Sequence, residues 1–362
     1  MTGLPLLIRV LRDPHAVRAL DGAGWDLLLR QADAANLDAY LLVLLEDAGL
    51  LDTVPAAPRA HLEWTRVGAA GHAQAARYEV RQIGRALEGL GLPLILLKGA
   101  AYAMAGLDAG RGRLFSDIDI LVPKARLPEV EAALMMHGWI TTHHDAYDQR
   151  YYRQWMHELP PMQHARRGNS IDVHHAILPE TAPVRPDPDK LRAAARPIAG
   201  EPQLATLSPA DMVLHSAVHL FFDGEFDKGL RDLVDLHRLL GQFGAEPGFW
   251  DALPARAREL ELGRPLFYAL RYCPRLLGTV VPPAVQAAVV SDGPNPALLW
   301  LMDRLFGRAL LPLHASCDDV LSSPARFALY VRGNWLRMPP LLLAQHLFHK
   351  AFITKHNESQ AA

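Results

Sequence analysis

Residues 92–123, LPLILLKGAAYAMAGLDAGRGRLFSDIDILVP, hold two short apolar runs and a tight acidic pair within about thirty positions. Residues 94–97 form the first run, which ends at Lys98-Gly99; Ile118, Ile120, Leu121 and Val122 form the second, punctuated by Asp117 and Asp119. Both runs have the length and composition of buried strands. Burying a carboxylate costs free energy unless it is paired or bound to a cation. Residues two apart in a strand point to one face, roughly 6.5–7 Å apart along the chain. That spacing suits two carboxylates converging on one divalent cation, or on a pair about 3.5–4 Å apart. Lys98 and Gly99, where a strand ends and a helix begins, are a candidate phosphate contact, although the Walker pattern of glycines is absent.

Working outward, residues 99–106 read as a short helix, and Gly106, Gly110 and Gly112 as a flexible connection that brings Arg111 and Arg113 close to the acidic strand. LPEVEAALMMHG reads as a helix ending at Gly138, followed by a strand over 139–142. MQHARRGNSIDVHHAIL reads as a hairpin with Gly168-Asn169 at its turn, and here Ile171 and Val173 flank a third acid, Asp172. Two carboxylates to bridge cations and a third beside the attacking oxygen are what a two-metal site needs, and oxygen ligands point to magnesium. His174, two residues after Asp172, shares its strand face and is placed to orient that acid or touch substrate.

On either side the pattern is helical. Residues 25–49 have apolar positions at helical spacing; a second helix is expected after Pro58 with Leu62, Trp64 and Val67, and a third through Ala76, Val80, Ile83 and Leu87. Residues 179–188, with four prolines, read as a linker or surface loop. Beyond it Ser208-Pro209 is a good helix start, and the remaining stretches repeat at 3.6 residues without strand-like alternation. His215 and His219 stand at i, i+4 but lack the glutamate of a zinc helix, and Asp232 and Asp235 read as partners of Arg231 or Arg238 on a solvated helix. The expected class is α+β: a small mixed sheet over 91–200, an N-terminal helical region over 1–90, and an all-helical region over 201–362.

Half of the 362 residues are hydrophobic and 21% are charged, which excludes a disordered chain. The net charge of −2 makes no electrostatic case for nucleic acid, and no run reaches the roughly 18 apolar residues of a membrane span. Two distant cysteines, Cys273 and Cys317, read as reduced thiols, and residues 1–14 lack a signal-peptide pattern; a cytoplasmic protein is expected. Composition leaves the oligomeric state open.

The succession KGxxY, RxxSDIDILV, IDVHH, LHSAVH and LRDLVDLH resembles the uncharacterised bacterial nucleotidyltransferases of the DNA polymerase β superfamily, from about residue 25 to about residue 243. The resemblance implies a magnesium- or manganese-dependent transfer of a nucleoside monophosphate from an NTP to an acceptor hydroxyl or amine of unknown identity. Asp117 and Asp119 then become the metal-binding pair, Asp172 the third acid and Gly99 the glycine of the superfamily pattern, while Lys98, Arg113 and Ser116 would contact phosphates. Ala100 replaces the usual second small polar residue, and the gap from Gly99 to Asp117 is long for the superfamily. Two other functions stay open: a non-catalytic nucleotide-binding regulator on the same fold, and a toxin-type enzyme that modifies a protein or tRNA.

Overall fold

The computed structural model describes residues 3–114, 117–142 and 146–339, without the side chains of 146–148 and 154. Among the described residues seven strands form one mixed sheet: β1 (Leu94–Leu96), β2 (Asp117–Leu121), β3 (Trp139–Thr141), β4 (Met162–His164), β5 (Ser170–His174), β6 (Arg196–Ile198) and β7 (Glu201–Thr206), in the order β3-β4-β5-β2-β1-β7-β6. The isoleucines and the valine of the two acidic strands take one face, and Ile118, Ile120, Ile171 and Val173 are all buried there. Alternation then sends Asp117, Asp119 and Asp172 to the other face. β2 and β5 run parallel in the centre, so the connection between them has to cross over the sheet; the Leu127–Met136 helix lies in that connection. The class is α+β, with helical regions before and after the sheet.

Several local expectations change. The helix expected over 25–49 is two, Gly22–Ala34 and Asp38–Asp47, because Asn36 takes a left-handed turn at φ 54°. The two helices expected after Pro58 are instead one, Ala56–Leu87, of 32 residues. Its Gly68 and Gly71 sit among good helix formers, and an isolated glycine weakens such a helix without ending it. Leu62 is buried as expected, whereas Trp64 and Val67 are exposed.

The β6–β7 hairpin was not anticipated, and it carries the sheet past residue 200. β7 lies parallel to β1, with Ile95 opposite Ala205, yet EPQLAT has no alternating pattern to announce a strand. From Pro209 onward the described residues are helical, and Ser208 caps the first of these helices by accepting from the Asp211 N–H at 3.3 Å. No helix among the described residues is long and apolar enough to cross a membrane.

The glycine-rich connection before β2 is rigid rather than flexible at one point. Gly112 has φ 69°, and a Cβ there would lie 2.6 Å from the Ala39 carbonyl oxygen; Gly106 has φ 65° with open space around it. Gly106→Ala is therefore expected to cost about 1–2 kcal/mol, the left-handed penalty alone. Gly112→Ala is expected to cost about 3 kcal/mol or more, since backbone must also move. Urea unfolding of the two variants side by side checks the difference.

Candidate functional site

The register of the parallel pair places Asp119 directly opposite Asp172, and Asp117 opposite Ser170. Neighbouring strands are about 4.8 Å apart, so the Asp119 and Asp172 carboxyls share one small region of the sheet face. Asp119 is 3% exposed. Its carboxylate survives there because Oδ1 accepts from Lys98 Nζ at 2.9 Å and from His174 Nε2 at 2.9 Å. Burial alone would raise the Asp119 pKa, but Lys98 and then His174 hold it well below the usual carboxylate range. In return, burial would lower the pKa of Lys98, and the Asp119 carboxylate beside it raises it.

Lys98 reaches this position through an unusual backbone. It opens the Lys98–Met104 helix at φ 44°, a left-handed conformation that costs a residue with a Cβ about 1–2 kcal/mol. The preceding Leu97 N–H donates to the Asp119 carbonyl at 2.9 Å, which fixes the turn against β2. On the far side, His174 Nδ1 lies 3.2 Å from Glu158 Oε2. Burial opposes a charged His174 imidazole, but the Asp119 hydrogen bond and the Glu158 carboxylate raise its pKa.

Asp172 has no such cationic partner among the hydrogen bonds and ion pairs of the described residues. Burial, then the negative charges of Asp119 and Glu158, push its pKa up to about 7. Four carboxyls, Asp117, Asp119, Glu158 and Asp172, thus gather around Lys98 and His174, and among the described residues no hydrogen bond falls on Asp119 Oδ2. Several carboxylate oxygens converging on one small region are what a divalent cation with oxygen ligands requires, so the acids present fit magnesium or manganese.

A cavity of about 340 Å³ opens beside this face, lined by Lys98, Gly99, Arg113, Asp117 and Asp119 from the sheet side. The opposite wall is the Pro209–Phe222 and Gly229–Phe243 helices and the loop between them, which contribute His219, Asp223, Glu225, Asp227, Lys228, Arg231 and Asp232. The two walls are tied together by buried polar contacts. Arg113 Nε donates to Asp235 Oδ2 at 2.7 Å, with both side chains 8% exposed, and the Tyr102 hydroxyl lies 2.5 Å from Ser216 Oγ.

The expected site residues are therefore partly assembled. Lys98, Gly99, Asp117 and Asp119 line the cavity. Asp172 stands beside Asp119 and His174 behind it, neither on the cavity wall. Arg113 is on the wall but already engaged by Asp235. Ser116 lies outside the described residues. Arg111 turns away from the acidic strand and grips Asp47 with two hydrogen bonds of 2.8 Å.

The reading of a solvated helix is corrected at Asp235, which is buried against Arg113; Asp232 does pair with Arg231, and both line the cavity. Arg238 instead donates to the Arg111 carbonyl and lies over the Tyr40 ring. Sequence reasoning missed Glu158, whose signal was only a glutamate beside a histidine in WMHEL, and Lys228, which no motif marks; Arg231 stands in LRDLVDLH, where it reads only as a partner for the acids of its own helix.

Comparison with known proteins gives a match to the family model described as an uncharacterised nucleotidyltransferase, over residues 21–278. The match covers well over half of the chain, and the chain belongs to this family. No curated protein matches, and no solved structure matches.

A carboxyl whose pKa is raised by folding destabilises the native state as it ionises. For Asp172 this cost is absent below the ordinary carboxylate pKa of about 3.9, grows as pH rises toward 7, and is complete above it. Asp172→Asn should therefore raise the melting temperature in metal-free buffer at pH 8 and change it much less at pH 4. Magnesium should raise the wild-type melting temperature more at pH 8 than at pH 5, which thermal scans at the three pH values check.

Proposed function

Starting from membership of a nucleotidyltransferase family, we propose that the chain transfers a nucleoside monophosphate from an NTP to an acceptor hydroxyl or amine, with release of pyrophosphate. The observation that carries this reading is the pairing of Asp119 with Asp172 across β2 and β5, with Asp117 on the same face and at the mouth of the cavity. Asp117, Asp119 and Asp172 would hold magnesium or manganese. Bound there, the metal would neutralise the triphosphate and lower the proton affinity of the acceptor oxygen.

The side chains have separate tasks in this reading. Lys98 and His174 keep Asp119 ionised in a buried position and fix its orientation. Lys228 is exposed and has no ion-pair partner among the described residues, so it and Arg231 would meet the phosphates. Asp172 would stand beside the acceptor oxygen. The helical wall beyond residue 208 would select the acceptor, since it supplies most of the cavity's remaining lining.

One observation favours a second reading, a regulator that binds nucleotide without turnover: one oxygen of the Asp119 carboxylate is already taken by hydrogen bonds from Lys98 and His174. Turnover separates the two. Isothermal titration with each NTP in magnesium is expected to show binding that weakens at least about tenfold in Asp117→Ala, the effect of losing one metal ligand. Labelled NTPs added to a cell lysate with the protein should then mark an acceptor, and the class of labelled product distinguishes protein, RNA and small molecule. No metal-dependent nucleotide binding would sink both readings, whereas binding without pyrophosphate release in any acceptor pool would leave only the regulator.

A further inference from the structure

We propose that His157, Glu158 and His174 form a second cation site beside Asp119 and Asp172, of the two-imidazole, one-carboxylate kind that takes zinc or a similar transition ion. One donor atom from each residue lies within 4.8 Å of the others, a spacing no other trio of histidine, cysteine or acidic side chains attains among the described residues. Glu158 Oε2 and His174 Nδ1 are 3.2 Å apart. That is close to the roughly 3.4 Å edge of a tetrahedron built on bonds of about 2.0–2.1 Å. The His157 and His174 rings are 5.2 Å apart and 32° from parallel, so a small ring movement closes the set.

Two further observations point to a ligand. His157 Nδ1 is buried without a hydrogen-bond partner among the described residues, a state that costs free energy in a packed interior and that an ion at that nitrogen would end. His174 already donates from Nε2 to Asp119, which leaves Nδ1, the nitrogen beside Glu158, for an ion. A ligating histidine whose other nitrogen is oriented by a carboxylate is the usual arrangement at metal centres.

The backbone makes the trio rigid: the His175 N–H donates to the His157 carbonyl at 2.8 Å, and the Leu159 N–H to the Val173 carbonyl at 2.9 Å. The Glu158 side chain is 16% exposed, which gives the ion a way in.

Imidazole donors favour transition ions, whereas Asp117, Asp119 and Asp172 offer oxygens alone. An ion at the trio would lock His174 against Asp119 and so orient the carboxylate that faces the cavity. This is a positioning role, and it holds whether or not the chain transfers nucleotides.

The full-length chain, stripped of metal with a chelator, is titrated with Co²⁺ as the spectroscopic probe and Zn²⁺ as competitor. The expected result is the intense visible absorption of four- or five-coordinate Co²⁺, saturating at one equivalent and displaced by Zn²⁺. Affinity should fall at least about tenfold in His157→Ala and in Glu158→Gln, and stay close to wild type in Asp117→Ala. Because Asp117→Ala is also the variant expected to weaken magnesium-dependent NTP binding, the cation site and the nucleotidyltransferase reading fail separately. Circular dichroism of each metal-free variant checks folding, and the near-isosteric Glu158→Gln decides if His157→Ala does not fold. Absence of one-equivalent Co²⁺ binding, or a weak six-coordinate spectrum lost in Asp117→Ala and kept in Glu158→Gln, overturns the proposal.

Discussion

A carboxylate held charged inside the protein is the constraint from which the rest of the site follows. Asp119 is buried on the central strand, and its ionised form depends on Lys98 and His174, which both donate to the same oxygen. Each partner arrives from a different part of the sequence. Lys98 comes from the end of β1 through a left-handed backbone, and His174 from the far end of β5. Removing either would leave a buried charge short of a partner, a far larger penalty than the loss of a surface ion pair. The arrangement also explains why Asp119 can be both ionised and available, since its second oxygen carries no hydrogen bond among the described residues.

The central pairing of β2 with β5 gives the site its asymmetry. Asp119 is compensated and Asp172, one strand away, is not, so two carboxyls in adjoining positions differ in the ease with which they hold a proton. Environment sets that difference, because the two side chains are chemically the same. The helical half of the chain supplies the other boundary. Arg113 against Asp235 and Tyr102 against Ser216 tie the sheet to the helices at buried points, so the cavity is a crevice between two regions held in register. Such buried polar ties make the relation of the two walls specific, because misalignment would strand charges and hydroxyls without partners.

Much of this was legible in one dimension. Alternation within DIDIL and SIDVH assigns the acids to one face and the isoleucines and valine to the other, since side chains in a strand reverse direction at each residue. The turn at Gly168-Asn169 and the cap at Ser208 follow from short-range backbone chemistry and stand where expected. Local signals failed where a long-range contact decides the outcome. EPQLAT becomes a strand because β1 offers it an edge. At Asp235 helical spacing alone offered Arg231 or Arg238 as partners, whereas the buried partner is Arg113, 122 residues away.

The sequence by itself determined the α+β class, the two acidic strands and the three acids on a common face, because strand periodicity and burial cost act over a few residues. Only the tertiary structure decided that β2 and β5 run side by side with Asp119 opposite Asp172. It alone put Lys98 and His174 on one oxygen, Glu158 behind His174, and Lys228 and Arg231 across the cavity. The physical reason is that pairing register and charge neutralisation are settled between segments far apart in the chain. A strand's own pattern states which way its acids point, and only its neighbours decide what those acids meet.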